Sequence, residues 1–186
     1  MDDVALLSSA RDGDVDAFAE LVRRYEHRVR AMLFRLLDDD RDVEEATQDA
    51  FVQAWRNLDR FRGDAAVFTW LYRIAVNEAL ARLRRKRLAT TDLDDVAETA
   101  YAAADAADEP ERAAEAGELQ AFLAASIRRL SPDYRAPLVL RDVVGLSNQE
   151  VADILELSLP AAKSRIHRAR MQIRAELERR EPETAD

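Results

Sequence analysis

Apolar residues recur every three or four positions along most of the chain, a spacing that predicts amphipathic α-helices. A first long helix, which Asp14 or Asp16 can cap, is followed by predicted helices over residues 43–58 and 67–87. The stripe of the first long helix consists of Phe18, Leu21, Val22, Tyr25, Val29, Met32, Leu33 and Leu36. Glycine and proline are scarce, at 4 and 5 residues, while alanine, leucine, arginine and glutamate dominate. The sequence therefore predicts an all-α fold.

The pattern resumes after residue 118 with a helix predicted over residues 119–130. Ser131-Pro132 opens the next helix, and Gly145 ends it. Pro137 lies inside that helix, where it removes one backbone hydrogen bond, so a bend is expected there.

Residues 147–174 are typical of a helix-turn-helix. Ser147 can cap the first helix, with Glu150 completing a capping box, and Ser158 followed by Pro160 suits the start of the second. The spacing of the second helix buries Ala162, Ile166, Ala169 and Ile173 and turns outward Ser164, His167, Arg168 and Met171, with Lys163 and Arg165 on the flanks. A helical hairpin with a solvated basic face is the alternative interpretation.

The charge distribution favours nucleic-acid binding, although the whole chain has a net charge of -9. Residues 156–174 carry five basic residues and one acidic residue. Residues 56–88 carry nine basic residues and three acidic residues. The helix over 67–87 ends in Arg82, Arg84, Arg85, Lys86 and Arg87. Before it, a loop with Gly63 as its pivot is expected to expose Phe61 between Arg60 and Arg62, a stacking platform beside cations.

Between the two basic blocks, residues 89–118 carry one basic residue and ten acidic residues. The composition of residues 89–117 is typical of a flexible acidic linker. We therefore predict two small helical domains, residues 1–88 and 118–180, joined by this linker. The alternation of charge also suggests that the linker can lie over either basic surface and mask it.

Several functional classes receive no support from the sequence. There are no cysteines, only two histidines (His27 and His167), and no glycine-rich phosphate-binding motif. An enzyme, a metal site and a cofactor are therefore not expected. The acidic N-terminus lacks a long apolar run, which argues against a signal peptide or a membrane span. The absence of cysteine fits a reducing cytoplasm.

Two long runs resemble bacterial RNA polymerase sigma factors. They are DVEEATQDAFVQAWRNLDRFRGDAAVFTWLYRIAVNEALARLRRKR and LSPDYRAPLVLRDVVGLSNQEVADILELSLPAAKSRIHRAR. Their order and spacing resemble the extracytoplasmic-function group, which keeps one domain for the minus-ten promoter element and one for the minus-thirty-five element. The resemblance implies core RNA polymerase and promoter DNA, duplex and single-stranded, as partners. An anti-sigma factor is a further expected partner, and a membrane is not.

The resemblance also implies roles for single residues. The polymerase-docking helix would present Glu45, Gln48, Asp49, Phe51 and Trp55. The melted minus-ten strand would be bound at Phe61 and Asn77, beside Arg60 and Arg62. The minus-thirty-five major groove would be read by Lys163, Ser164, His167 and Arg168. From their positions on the helix, rather than from the resemblance, Arg170 and Arg174 are expected to contact phosphates.

Two other classes of protein stay open at this point. A stand-alone helix-turn-helix regulator would bind duplex DNA without polymerase, and it would need no acidic docking surface. A helical adaptor would bind only proteins and would show no dependence on promoters.

Overall fold

The computed structural model describes residues 1–61, 66–90 and 110–180. Within these ranges all regular structure is helical, which confirms the predicted fold class. The α-helices are α1 (Asp3–Arg11), α2 (Val15–Leu36), α3 (Asp40–Arg56), α4 (Val67–Thr90), α5 (Pro110–Arg129), α6 (Pro132–Leu138), α7 (Asn148–Leu155) and α8 (Leu159–Arg180). A 3₁₀ turn covers Leu58–Arg60, and a π-helical segment covers Val139–Val143. None of the described helices is both long and apolar enough to cross a bilayer.

The N-terminal half contains one helix that the sequence pattern did not predict. Helix α1 is capped by Asp2, whose carboxylate accepts a hydrogen bond from Ala5 N at 2.7 Å. Its buried residues are Leu6, Leu7 and Ala10. Asp14 caps α2, as expected, because its Oδ1 accepts from the backbone N–H groups at the start of that helix.

Helix α3 begins earlier than the sequence pattern predicted. The helix begins within the run of aspartates at residues 38–40, because Asp39 caps it by accepting a hydrogen bond from Arg41 N at 2.8 Å. Asp40 and Asp42 then occupy the first turn, where the helix dipole favours negative charge.

The segment between the two halves differs from its prediction at both ends. Helix α4 continues to Thr90, and α5 begins at Pro110 rather than at residue 119. Proline is well suited to the first helical position, and the alanine and glutamate residues that follow it are strong helix formers. Residues 91–109, which form most of the predicted acidic linker, lie outside the described residues.

Pro137 marks the end of a regular helix, in agreement with the predicted distortion. Helix α6 stops one residue later, and the chain continues in a widened turn in which Val144 N donates to Val139 O at 2.9 Å. Gly145 ends this segment with a φ of +86°, a conformation that favours glycine.

The helices of the two halves share a hydrophobic core. Helices α2, α3 and α4 pack together in the N-terminal half, α6 packs on α8 in the C-terminal half, and α7 packs against α4 across the boundary. Arg135 of α6, only 5% exposed, also crosses the boundary. Its Nη1 donates to Leu36 O at 2.8 Å and to the Asp38 carboxylate at 2.9 Å.

Candidate nucleic-acid interfaces and docking surface

The helix-turn-helix has the end caps that the sequence predicted. Ser147 Oγ accepts from Glu150 N at 3.2 Å, and Glu150 Oε2 accepts from Ser147 N at 2.7 Å, which completes the capping box. Ser158 Oγ accepts from Ala161 N at 3.3 Å at the start of α8. Between the helices, Glu156 adopts a left-handed conformation with φ +53°, which the sequence did not indicate.

Helix α8 presents the predicted recognition residues on one face. Its opposite face is anchored by Ala162, Ile166 and Ala169, all of them buried. The exposed residues include Lys163, Ser164, His167 and Arg168. The structure therefore brings together all four residues that were assigned to the major groove.

Arg170 and Arg165 of α8 form two of the ion pairs that hold this helix against the preceding helices. Arg170 binds Asp142 through two hydrogen bonds, at 2.9 Å and 2.5 Å, and this partner raises the pKa of the Arg170 guanidinium. Arg165 lies 3.5 Å from Asp133. Arg170 was expected to contact phosphate, yet in the free chain its guanidinium already has a carboxylate partner.

Helix α3 exposes only part of the predicted docking set. Glu45, Gln48 and Asp49 are exposed. Trp55 is 38% exposed and meets the Phe18 ring edge-on at 5.1 Å.

Phe51, by contrast, departs from the expected docking position. It is only 8% exposed, because its position on α3 turns the ring into the core between α3 and its neighbours, so it has almost no surface to offer a partner. The exposed apolar residue next to it is Val52, at 45%.

The carboxylates of this surface surround Arg82 of α4, whose side chain is only 14% exposed. Its Nη1 donates to Glu45 at 3.0 Å, its Nε donates to Glu78 at 3.0 Å, and its Nη2 donates to Asp49. The hydrogen bond from Arg82 lowers the pKa of Glu45. Arg82 was predicted to belong to a nucleic-acid surface, but its guanidinium is turned toward α3, where it neutralises part of the acidic face.

The candidate minus-ten residues lie around the end of α3 and along α4. Arg60 and Asn77 are exposed, and Arg62 lies outside the described residues. Phe61 was expected to be exposed, but it is only 7% exposed and packs edge-on against Trp70, with ring centroids 5.5 Å apart. The error arose because the contact depends on the fold: the polar loop gave no sign that Trp70 lies opposite.

Comparisons with known proteins cover both halves. The family model described as Sigma-70 region 2 matches residues 21–89, and the one described as Sigma-70, region 4 matches residues 123–173. The RNA polymerase sigma-H factor of Pseudomonas aeruginosa is 36% identical over 92% of this chain and 91% of its own length. The ECF RNA polymerase sigma-E factor of Escherichia coli K12 is 38% identical over 92% of each chain. This chain belongs to the extracytoplasmic-function group of sigma-70 factors.

A solved structure agrees with this assignment. CnrH, determined in complex with the cytosolic domain of CnrY, matches this sigma factor with a TM-score of 0.69 and 29% identity, over 95% of this chain and 97% of that one. The resemblance seen in the sequence is thus confirmed. This sigma factor directs RNA polymerase to promoters and belongs to a family without enzymatic activity, so it is neither a stand-alone regulator nor a simple adaptor.

Two residues of this sigma factor gained importance only from the structure. Val52 follows Phe51 directly, and only its place on the helix surface separates it from the buried residue. Arg82 stood in a run of five cations, and no feature of that run distinguished the one that faces α3. In both cases the sequence pattern located the helix, but the side-chain environment came from packing between helices.

Proposed function

We propose that the C-terminal half of this sigma factor reads the minus-thirty-five duplex through α8. The supporting observation is the exposed face formed by Lys163, Ser164, His167 and Arg168 on a helix whose opposite side is buried. A recognition helix needs this division, because one face must pack on the domain while the other enters the major groove. Arg168 can pair with guanine through two hydrogen bonds.

We further propose that the N-terminal half binds the melted minus-ten strand. Exposed Arg60 and Asn77 supply a cation and an amide for the strand, and Arg62 is assigned from the charge pattern of the sequence. Phe61 is the candidate for stacking on a base. Because Phe61 packs against Trp70 in the free chain, a base must displace that contact before it can stack on the Phe61 ring.

The docking surface proposed for core RNA polymerase consists of Glu45, Gln48, Asp49 and Trp55, with Val52 in place of the buried Phe51. It combines carboxylates with exposed apolar area, as interfaces commonly do. Binding must compete with Arg82 for two of these carboxylates. The surface therefore suits a partner that offers several hydrogen-bond donors at once.

A regulatory protein of the anti-sigma class is proposed as a further partner. The support is the solved structure of CnrH, which contains the cytosolic domain of CnrY. The proposed location is the cytoplasm, because core RNA polymerase works there. The proposed domain limits remain residues 1–88 and 118–180. Of the linker proposed over residues 89–117, the end of α4 and the start of α5 are helical.

Run-off transcription with core RNA polymerase tests the assignment of α8. The wild-type chain should direct initiation at a promoter selected from a random library. In Arg168→Ala, the free-energy difference between the preferred base and the other bases at one upstream position should fall by about 1–3 kcal/mol. Arg179→Ala is the matched control, since Arg179 is an exposed arginine of the same helix that binds Ala175 O at 3.0 Å. Equal base preference for Arg168→Ala and wild type would contradict the assignment.

A further inference from the structure

Arg11, at the end of α1, reaches a turn that lies about fifty residues further along the chain. Its Nη2 donates to Phe61 O at 2.8 Å and to Leu58 O at 3.3 Å. These two carbonyls stand at the start of the 3₁₀ turn and directly after it. One guanidinium group therefore fixes both ends of the turn that carries Arg60.

Helix α1 holds this guanidinium in a defined place. Leu6, Leu7 and Ala10 are buried in the core, and Asp3 binds two residues of α2, accepting from Arg24 Nη1 at 2.9 Å and from the Tyr25 hydroxyl. Gly13, with φ +99°, then turns the chain into α2. Anchored at both ends, α1 serves as a brace between α2 and the 3₁₀ turn.

The turn has few bonds of its own to define its shape. Phe61 N donates to Leu58 O at 3.2 Å and Arg60 N donates to Asn57 O at 2.9 Å. Arg11 adds a second, charged donor to Leu58 O, and it also donates to Phe61 O. Hydrogen bonds from charged groups are stronger than neutral ones, so Arg11 is a major determinant of the orientation of this turn.

We propose that Arg11 is a positioning residue for reading of the melted minus-ten strand, acting through the backbone of Leu58 and Phe61. It precedes the region matched by the family model, residues 21–89. The inference rests on the proposed function of Arg60 and Phe61. It adds that their orientation, and therefore base preference, depends on a side chain from α1.

The test uses full-length protein bound to core RNA polymerase. The probe is a pool of single-stranded oligonucleotides with randomised bases, sequenced after capture by the holoenzyme. Wild type should enrich a preferred sequence. Arg11→Ala should reduce the enrichment of the preferred base at one or more positions by at least about fivefold. This factor corresponds to the lower end of the stacking contribution of one base. Total binding of the pool, which depends on cations and phosphates, should change little.

Two further variants separate positioning from simple loss of stability. Arg11→Lys retains a charged donor and should restore part of the base preference. Arg23→Ala is the control, because Arg23 is an exposed arginine of the same half that pairs with Glu20 at 2.9 Å. Thermal unfolding and affinity for core RNA polymerase are measured for each variant.

The outcomes distinguish this inference from the function on which it rests. If wild type enriches no sequence, the proposed reading of the strand fails, and the role of Arg11 fails with it. If wild type and Arg11→Ala enrich the same bases equally, only the role of Arg11 is overturned. If Arg11→Ala loses core affinity and base preference in equal measure, with no recovery in Arg11→Lys, Arg11 serves the fold alone and the proposal is overturned.

Discussion

Replacing Arg135 by alanine should destabilise the chain more than most single changes, because this buried guanidinium serves carbonyls from both halves. Besides Leu36 O and Asp38, it donates to Leu130 O at 3.3 Å and to Arg128 O. Burial lowers the pKa of Arg135, and nearby Asp38 opposes that shift. The favourable contacts must therefore offset a desolvation penalty.

The size of the effect follows from the acceptors left behind. Three carbonyls lose a charged donor in Arg135→Ala. A buried carbonyl left unsatisfied costs about 1–3 kcal/mol. Taking the lower end, because water can enter the space that the side chain vacates, the loss is about 3 kcal/mol. Asp38 adds little, since its side chain is 41% exposed and regains water.

Urea unfolding followed by circular dichroism measures this loss. Asp38→Ala is the matched comparison, because it removes only the exposed partner and should cost no more than about 1 kcal/mol. If Arg135→Ala also costs less than about 1 kcal/mol, the carbonyls do not depend on Arg135 in solution. The assumption that this guanidinium holds buried acceptors would then be refuted.

Two further predictions concern the docking surface and α1. Asp49→Ala should weaken binding to core RNA polymerase, measured by competition with a labelled sigma factor, whereas Glu44→Ala on the same helix should not; equal affinities would remove Asp49 from the interface. Burial, with the hydrogen bond to Asp3, raises the pKa of Tyr25 to about 12. Absorbance at 295 nm should therefore show that the Tyr25 phenol ionises at a higher pH than an ordinary tyrosine, whose pKa is 10.0. Because the folded state favours the protonated phenol, this contribution to stability is fully present below pH 10 and is lost as the pH rises through about 12.

Local signals in the sequence predicted local structure well. The capping box of Ser147 and Glu150 is present with both hydrogen bonds, because it depends only on residues three apart. Helix α1 was missed because it is nine residues long and carries only a short apolar stripe. The exposure of Phe61 was predicted incorrectly because Trp70, which covers it, comes from another helix.

The docking helix shows how periodicity and resemblance can disagree. The helical spacing of Ala50, Phe51 and Ala54 puts them on the apolar face of α3, and all three are buried. The family resemblance assigned Phe51 to the polymerase surface. Neighbouring helical residues point about 100° apart, so a shift of one position exchanges a core residue for an exposed one. For this reason we propose Val52, which is exposed, as the apolar contact.

The packing of the two halves has a consequence for the proposed reading of both promoter elements. The names of the two promoter elements place them about 25 base pairs apart. At about 3.4 Å per pair this distance is about 85 Å along B-DNA. A compact chain of this length has a radius of gyration of about 16 Å. Helix α7 is packed against α4. In this arrangement α8 cannot reach the minus-thirty-five element while Asn77 lies on the minus-ten element.

If both elements are read as proposed, the boundary between the halves must open on the promoter, and the contacts of Arg135 suit such an opening. After separation, Arg135 keeps the carbonyls of Leu130 and Arg128, which belong to its own half. Leu36 O lies at the end of α2 and can bind water, and Asp38 is already partly solvated. Since no polar group needs to remain buried without a partner, opening chiefly loses the apolar packing of α2 and α4 against the helices of the C-terminal half. Contacts with polymerase and DNA can replace that packing.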